Sequence, residues 1–327
     1  MHPRTSGFVT ATVAGATALA LAAIVGCSTI AGKSAGIRPA GEPGVGQQQF
    51  DTDAQAAAAL VTAAKARDRD ALHHIFGPSV TEFISGDNVQ DERHFDRFVK
   101  NVDEHLELEK KDAKTSVIDI GKNNWPFPIP LTRLASGKWF FDTEAGKQEI
   151  LARQIGANEL ETIKVCRAYL EAQREYASVD RDGSGVLKYA RRIISKHGKD
   201  GLYWETVSGE EESPFGQFVA QAEVEGYAPT KRDASGPQPY HGYHYRILTR
   251  QGCAAPGGKY DYVINGNMIA GFALVAWPSE YGISGVMTFI INHQGKLYQK
   301  DLGPATSDTV RSMKEYNADR CWTLVTD

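Results

Sequence analysis

The stretch from Ala152 to Val179, ARQIGANELETIKVCRAYLEAQREYASV, reads as one long helix and limits the possible folds more than any other segment. Leu160, Ile163, Leu170 and Ala177 form an apolar stripe at helical spacing, widened by Cys166, Tyr169 and Tyr176. Such a helix must bury that stripe on a facing layer. Beyond Gly226 the pattern changes to strands and turns. Tyr243 to Leu248 alternates, Gly271 to Trp277 is a buried strand closed by Pro278, and Gly285 to Asn292 with Lys296 to Lys300 forms a hairpin. A second helix is expected over Phe215 to Glu225, with Ser213 as N-cap and Pro214 in the first turn. The C-terminal half is therefore α+β, a long helix packed on an antiparallel sheet.

The N-terminal half repeats the class on a smaller scale. Ala54 to Phe76 reads as a single helix stopped by Gly77-Pro78, and Asp91 to Glu107 as a second. Short strands follow at Thr115 to Ile120, Phe127 to Leu134 and Lys138 to Asp142. In pattern this half resembles the cone-shaped fold of the nuclear-transport-factor-2-like superfamily. The expected organisation is an N-terminal domain over 50–148 and a C-terminal domain over 150–327, meeting between Asp142 and Asn158.

Ahead of both lies a leader. His2 and Arg4 make a weakly positive start, Phe8 to Val25 runs apolar without a charge, and Ile24-Val25-Gly26-Cys27 closes it. A small residue directly before a cysteine resembles the bacterial lipobox. That resemblance implies a signal peptide over 1–26, diacylglycerol on Cys27 and acylation of the new amino terminus. The alternative is a spanning helix, against which stand the many small residues and the lack of a basic stop. Residues 27–49, rich in Gly, Pro, Ser and Gln, read as a flexible tether. The expected location is the cell envelope: the outer membrane facing the periplasm where there are two membranes, the outer face of the cytoplasmic membrane where there is one.

Hydrophobic residues at 42% are enough for a sizeable core, and a net charge of −4 with no basic run argues against a nucleic-acid partner. Beyond Cys27 there are Cys166, Cys253 and Cys321, without a Cys-x-x-Cys pair, which excludes a zinc ribbon. Cys253 with Cys321 is the candidate disulfide, since Cys166 falls on the helix stripe; three buried thiols are the alternative. Gly32-Lys33-Ser34-Ala35-Gly36 has the serine-hydrolase spacing, but no strand precedes it, so the elbow that the chemistry needs is missing. His73 and His74 are adjacent on a helix, about 100° apart, and do not easily face one ion. Glu210-Glu211-Glu212 reads as a solvated loop.

One segment carries metal spacing. In Asp180-Arg181-Asp182-Gly183-Ser184-Gly185-Val186-Leu187, Asp180, Asp182 and Ser184 stand at positions one, three and five of an EF-hand-type Ca²⁺ loop, and Val186 would offer a carbonyl. Position twelve is Arg191 in place of the bidentate glutamate, so either a weak Ca²⁺ site or an acidic turn ending the helix fits the residues.

Several segments together carry a family resemblance. Gly156-Ala157-Asn158-Glu159, Ala172-Gln173-Arg174-Glu175-Tyr176, Asp200-Gly201-Leu202-Tyr203-Trp204, Ser213-Pro214-Phe215-Gly216, Gly242 to Leu248 and the run from Gly271 to Gly303 occur in order. They resemble domain-of-unknown-function family 2950, exported bacterial proteins without an established activity. The C-terminal half is also loosely similar to the globular domains of pilins and pseudopilins, although a lipobox and an extra domain replace the pilin helix. With no metalloprotease His-Glu-x-x-His, phosphate loop or nucleophile elbow, the expectation is a non-catalytic binding or assembly role with an envelope partner. The alternative is an envelope hydrolase whose site is assembled from residues distant in sequence.

Overall fold

The structure, a computed structural model, describes residues 40–83, 87–206, 211–225, 227, 232–233 and 236–326. The expected signal segment, Cys27 and the 32–36 motif lie outside the described residues. From Arg38 onward the chain forms one compact unit of α+β class.

The expected first helix is two, α1 (Asp53–Ala66) and α2 (Arg69–Phe76). Arg67 turns left-handed at φ 55, and Asp68 caps the next helix by accepting from the Ala71 N–H at 2.9 Å. That local polar closure divides an otherwise continuous helical pattern. Helix α3 covers Asn88–Glu104, three residues earlier than expected at each end, and the released residues form strand β1 (Leu106–Lys110). Then come β2 (Thr115–Ile120), β3 (Trp125–Pro126), β4 (Leu131–Arg133) and β5 (Trp139–Phe141), an antiparallel sheet in order β1-β2-β4-β5 with β3 paired to β2. Ala56, Leu60, Ala63 and Ala64 of α1 close its core with Ile118, Ile120, Leu131 and Phe141. The expected tether ends sooner than Gln49. The Gly41 N–H donates to Asp142 at 2.7 Å, and the Gln47 amide donates to the Ile75 and Phe141 carbonyls, so Gly41 to Gln49 is docked on this half.

Helix α4 (Thr143–Tyr176) begins nine residues before the expected start and runs without interruption through the expected domain boundary. Asp142 supplies its N-cap, accepting from the Ala145 N–H at 3.1 Å. Its buried side keeps Cys166, Tyr169, Leu170 and Tyr176 of the expected stripe, leaves Leu160 out and adds polar residues. Asn158, Thr162, Cys166, Tyr169, Gln173 and Tyr176 are buried, whereas Leu160 is 62% exposed. Helix α5 (Gly216–Val224) is capped by Phe215 without a side-chain bond, so Ser213 is not the expected cap.

The C-terminal sheet contains β6 (Tyr243–Leu248), β7 (Ala273–Pro278), β8 (Met287–Asn292), β9 (Leu297–Asp301) and, after α6 (Thr306–Ser312), β10 (Thr323–Leu324). All pairs are antiparallel, in order β10-β9-β8-β7-β6, with Leu274 between Ile247 and Ile291. Helix α4 packs on β7 and β8. Its N-terminal turns lie against the first core and its C-terminal turns against the second, with Ile150 on one and Val165 on the other.

Candidate functional site

A cluster of buried ionisable side chains lies where the two halves touch. Asp87, the residue before α3, is 2% exposed and is committed on both oxygens. Its Oδ1 accepts from the Gln90 N–H at 3.0 Å, capping α3. Its Oδ2 accepts from the Tyr227 hydroxyl at 2.8 Å and the Gly242 N–H at 3.1 Å, both from the C-terminal half. A carboxylate taken out of water needs such donors, and each bond to a charged group contributes about 1.5–3 kcal/mol.

Gln90, one turn into α3, reaches the same junction. Its amide donates to Asn158 Oδ1, and the Asn158 amide donates to the Ser284 carbonyl at 2.7 Å. Fully buried Asn158 therefore joins α3, α4 and the loop before β8. Gly242 has φ 71, and a Cβ there would stand 2.6 Å from Asn158 Nδ2, so glycine is required on two counts. The neighbouring Glu159 accepts from the Val286 and Met287 N–H groups at 3.0 and 2.9 Å, fixing the entry to β8.

Beside this lies a charged triad. The Glu225 carboxylate, at the end of α5, is 2.9 Å from Arg93 of α3 and 3.1 Å from His241 Nε2. His241 is itself left-handed at φ 49, and its backbone N–H donates to the Tyr227 hydroxyl at 3.2 Å. Burial pulls the His241 pKa down, while Glu225, Glu161 and Asp87 pull the other way. Burial likewise lowers His94, helped by Arg97 and Arg93, and raises Tyr227 and Tyr240 beyond their ordinary range. A neutral imidazole held by a carboxylate can hold or pass a proton. Here the ion pair between the halves is Arg93 with Glu225, and the imidazole lies against its carboxylate.

The residues singled out from the sequence lie elsewhere. Cys253 and Cys321 are free, exposed thiols, and the expected pair is not joined in this structure. Cys166 is fully buried, with its thiol pushed up to about 12 by burial. His73 and His74 are both exposed. In the loop with calcium spacing, the Asp180 and Asp182 carboxylates accept from the loop's own Ser184 and Gly185 N–H groups. The Lys188 ammonium contacts Asp182 and lies 3.2 Å from Ser184 Oγ and from Asn267 Oδ1, so the loop carries its own cation. Val186 sits between these donors in sequence, and Arg191, at position twelve, donates to the Gly266 carbonyl at 3.4 Å. Among the described residues, no three His, Cys, Asp or Glu side chains are grouped to hold a metal, and no helix is long and apolar enough to cross a membrane. A cleft of about 410 Å³ opens away from the junction, lined by Arg250, Met313, Lys314, Asn317 and Trp322 among others.

Sequence reasoning missed Asp87, Gln90, Asn158, Glu225, Tyr227 and His241. A signal was present for one of them. Positions 158, 162, 166, 169, 173 and 176 follow one another at four- and three-residue steps, so Asn158 sits on a helical face that is apolar or aromatic at half its positions. A polar residue on such a face needs a buried partner.

The profile of a family described as "Protein of unknown function (DUF2950)" matches residues 47–325, most of the chain and both halves together. No curated protein matches the chain, and no solved structure does, so the likeness to pilin globular domains gains no support from known structures.

Proposed function

We propose a function for this chain from the premise that it belongs to DUF2950, a family of unknown function. The chain is a bacterial envelope lipoprotein, held to a membrane through lipid on Cys27, and it works by binding or assembly with an envelope partner, not by turnover. The observation that carries the non-catalytic reading is the commitment of the junction's ionisable groups to one another. Asp87 uses both oxygens on protein donors, and Glu225 lies between Arg93 and His241. A catalytic constellation leaves a group free to face substrate. These groups instead hold the two halves in one relative placement, as a binding surface spanning both halves requires. The leader and its cysteine support the anchor.

One observation favours a hydrolase: the Glu225–His241 pair resembles a carboxylate orienting a general base. Cross-linking in cells, followed by purification from membranes, separates the readings. The binding role predicts a discrete partner at fixed stoichiometry and no turnover of ester, amide or phosphoester model substrates. Turnover by the purified chain that His241→Gln abolishes would replace this role with the enzymatic one.

A further inference from the structure

The tip between β2 and β3 exposes Lys122, Asn123, Asn124, Trp125 and Pro126 in succession. Trp125 is 43% exposed, whereas the sheet beside it is closed by buried Ile118 and Ile120. The indole does not hang loose. The Arg153 guanidinium stacks on it at 4.2 Å, and the same arginine donates to the Pro126 carbonyl at 3.3 Å and to Glu149 at 2.6 Å. Helix α4 therefore holds a large amphipathic ring outward in a fixed orientation, with the Lys122 side chain 79% exposed nearby and its ammonium 3.8 Å from Glu104, an exposed pair of little strength that a phosphate can replace. The contact with Arg153 holds one face of the ring, and the part left in water would gain at the boundary between lipid headgroups and acyl chains.

The tether has a known point of arrival. The Gly41 N–H is bonded to Asp142, the N-cap of α4, and Arg153 lies eleven residues along that helix, about 17 Å of axial rise. Between these points Gly146 packs directly on Pro128 and Ile129, so the segment after Trp125 follows the helix back toward the tether. From Cys27 to Gly41 the chain extends no farther than about 50 Å even when fully stretched. The tether thus arrives on the first turns of α4, the same stretch of helix that carries Arg153, and an anchor at Cys27 leaves the Trp125 tip within reach of the membrane.

We propose that the Trp125 tip is a membrane-contacting surface, in which the indole enters the headgroup region of the bilayer that anchors the chain while Lys122 remains among the phosphates. This rests on the lipid anchor at Cys27. Lipid binding at the tip orients the molecule, placing the junction of the two halves at a set height above the membrane. The long stem of Lys122 suits that position, since its ammonium can stay hydrated while the chain lies along the surface.

The test uses the full-length lipidated protein in vesicles of phosphatidylethanolamine and phosphatidylglycerol, with and without brominated acyl chains. Flotation of the wild-type protein with the vesicles first establishes the anchor; a wild-type protein that does not float overturns both the anchor and the tip. For protein that floats, bromolipid is expected to quench part of the tryptophan emission. Trp125→Phe, which keeps an aromatic ring under Arg153, should reduce that quenching to the level seen with unbrominated lipid while flotation persists. Equal fractional quenching in wild type and Trp125→Phe, or no quenching in a wild-type protein that floats, overturns the tip and leaves the anchor standing.

Discussion

Replacing Asp87 with alanine should cost far more than the loss of an ordinary helix cap. Removal of the cap alone costs about 1 kcal/mol. The substitution also strips the acceptor from the Tyr227 hydroxyl and the Gly242 N–H, both of them buried donors, at about 1–3 kcal/mol each. The losses share one carboxylate and do not add fully, which puts the total near 3–5 kcal/mol. At about 2–4 °C per kcal/mol for a chain of this size, the thermal midpoint should fall by roughly 10 °C. Thr52→Ala provides the reference, because Thr52 caps α1 on an exposed surface and its side chain accepts from the Gln55 N–H within its own helix. It should cost about 1 kcal/mol. Urea unfolding of the full chain, with Asp87→Ala, Tyr227→Phe and the double variant, measures the coupling directly, and about 1–3 kcal/mol is expected. If Asp87→Ala costs no more than Thr52→Ala and its coupling to Tyr227 is zero, Asp87 is a cap and the clamp does not exist.

Three further outcomes follow from the same geometry. His94, His241, His244 and His293 all have pKa values lowered chiefly by burial, so the folded chain binds fewer protons than the unfolded one below about pH 6.5. Their stabilisation is complete above that pH and is lost as pH falls toward the folded values; the midpoint should drop between pH 7.5 and 5.5, His241→Gln should flatten the slope, and a rising midpoint on acidification would contradict the assignment. Lys188 already occupies the Asp182–Ser184 loop, so the melting temperature should be the same in millimolar CaCl₂ and in EDTA; an upward shift that Asp180→Ala with Asp182→Ala removes would show that Ca²⁺ displaces the lysine. Because α4 runs through the expected boundary and its Ile150 packs on the first core, fragments 50–148 and 150–327 should each be far less stable than the intact chain, whereas two cooperative fragments that together match its stability would show that α4 is not shared.

Much of the architecture was legible because periodicity reports directly on burial. Strand β2 and the alternating strand β6 lie where the pattern puts them, as does the β8–β9 hairpin. The errors share a physical cause: polar side chains decided the structure where apolar ones were being counted. Asp68 and Arg67 broke a continuous alanine-rich helix, and Asp142 started α4 before its apolar residues began. On α4 itself Cys166, Tyr169, Leu170 and Tyr176 of the expected stripe are buried, but Leu160 is exposed and the polar Asn158, Thr162 and Gln173 complete the buried face. Gln173 is satisfied by Tyr169 and by both backbone groups of Ala190. The junction site was beyond reach for another reason. Asp87, Asn158, Tyr227 and Gly242 are dispersed along the chain, and only tertiary folding brings a cap, a helix face and a turn to one place.

The central claim is that the folded unit is held at a membrane by lipid on Cys27, and metabolic labelling with an alkyne-tagged fatty acid tests it most directly. The wild-type protein should take up the label and fractionate with membranes, while Cys27→Ser should be unlabelled and remain a folded, soluble, exported protein. Label retained in Cys27→Ser, or a wild-type protein that carries none, would contradict the account.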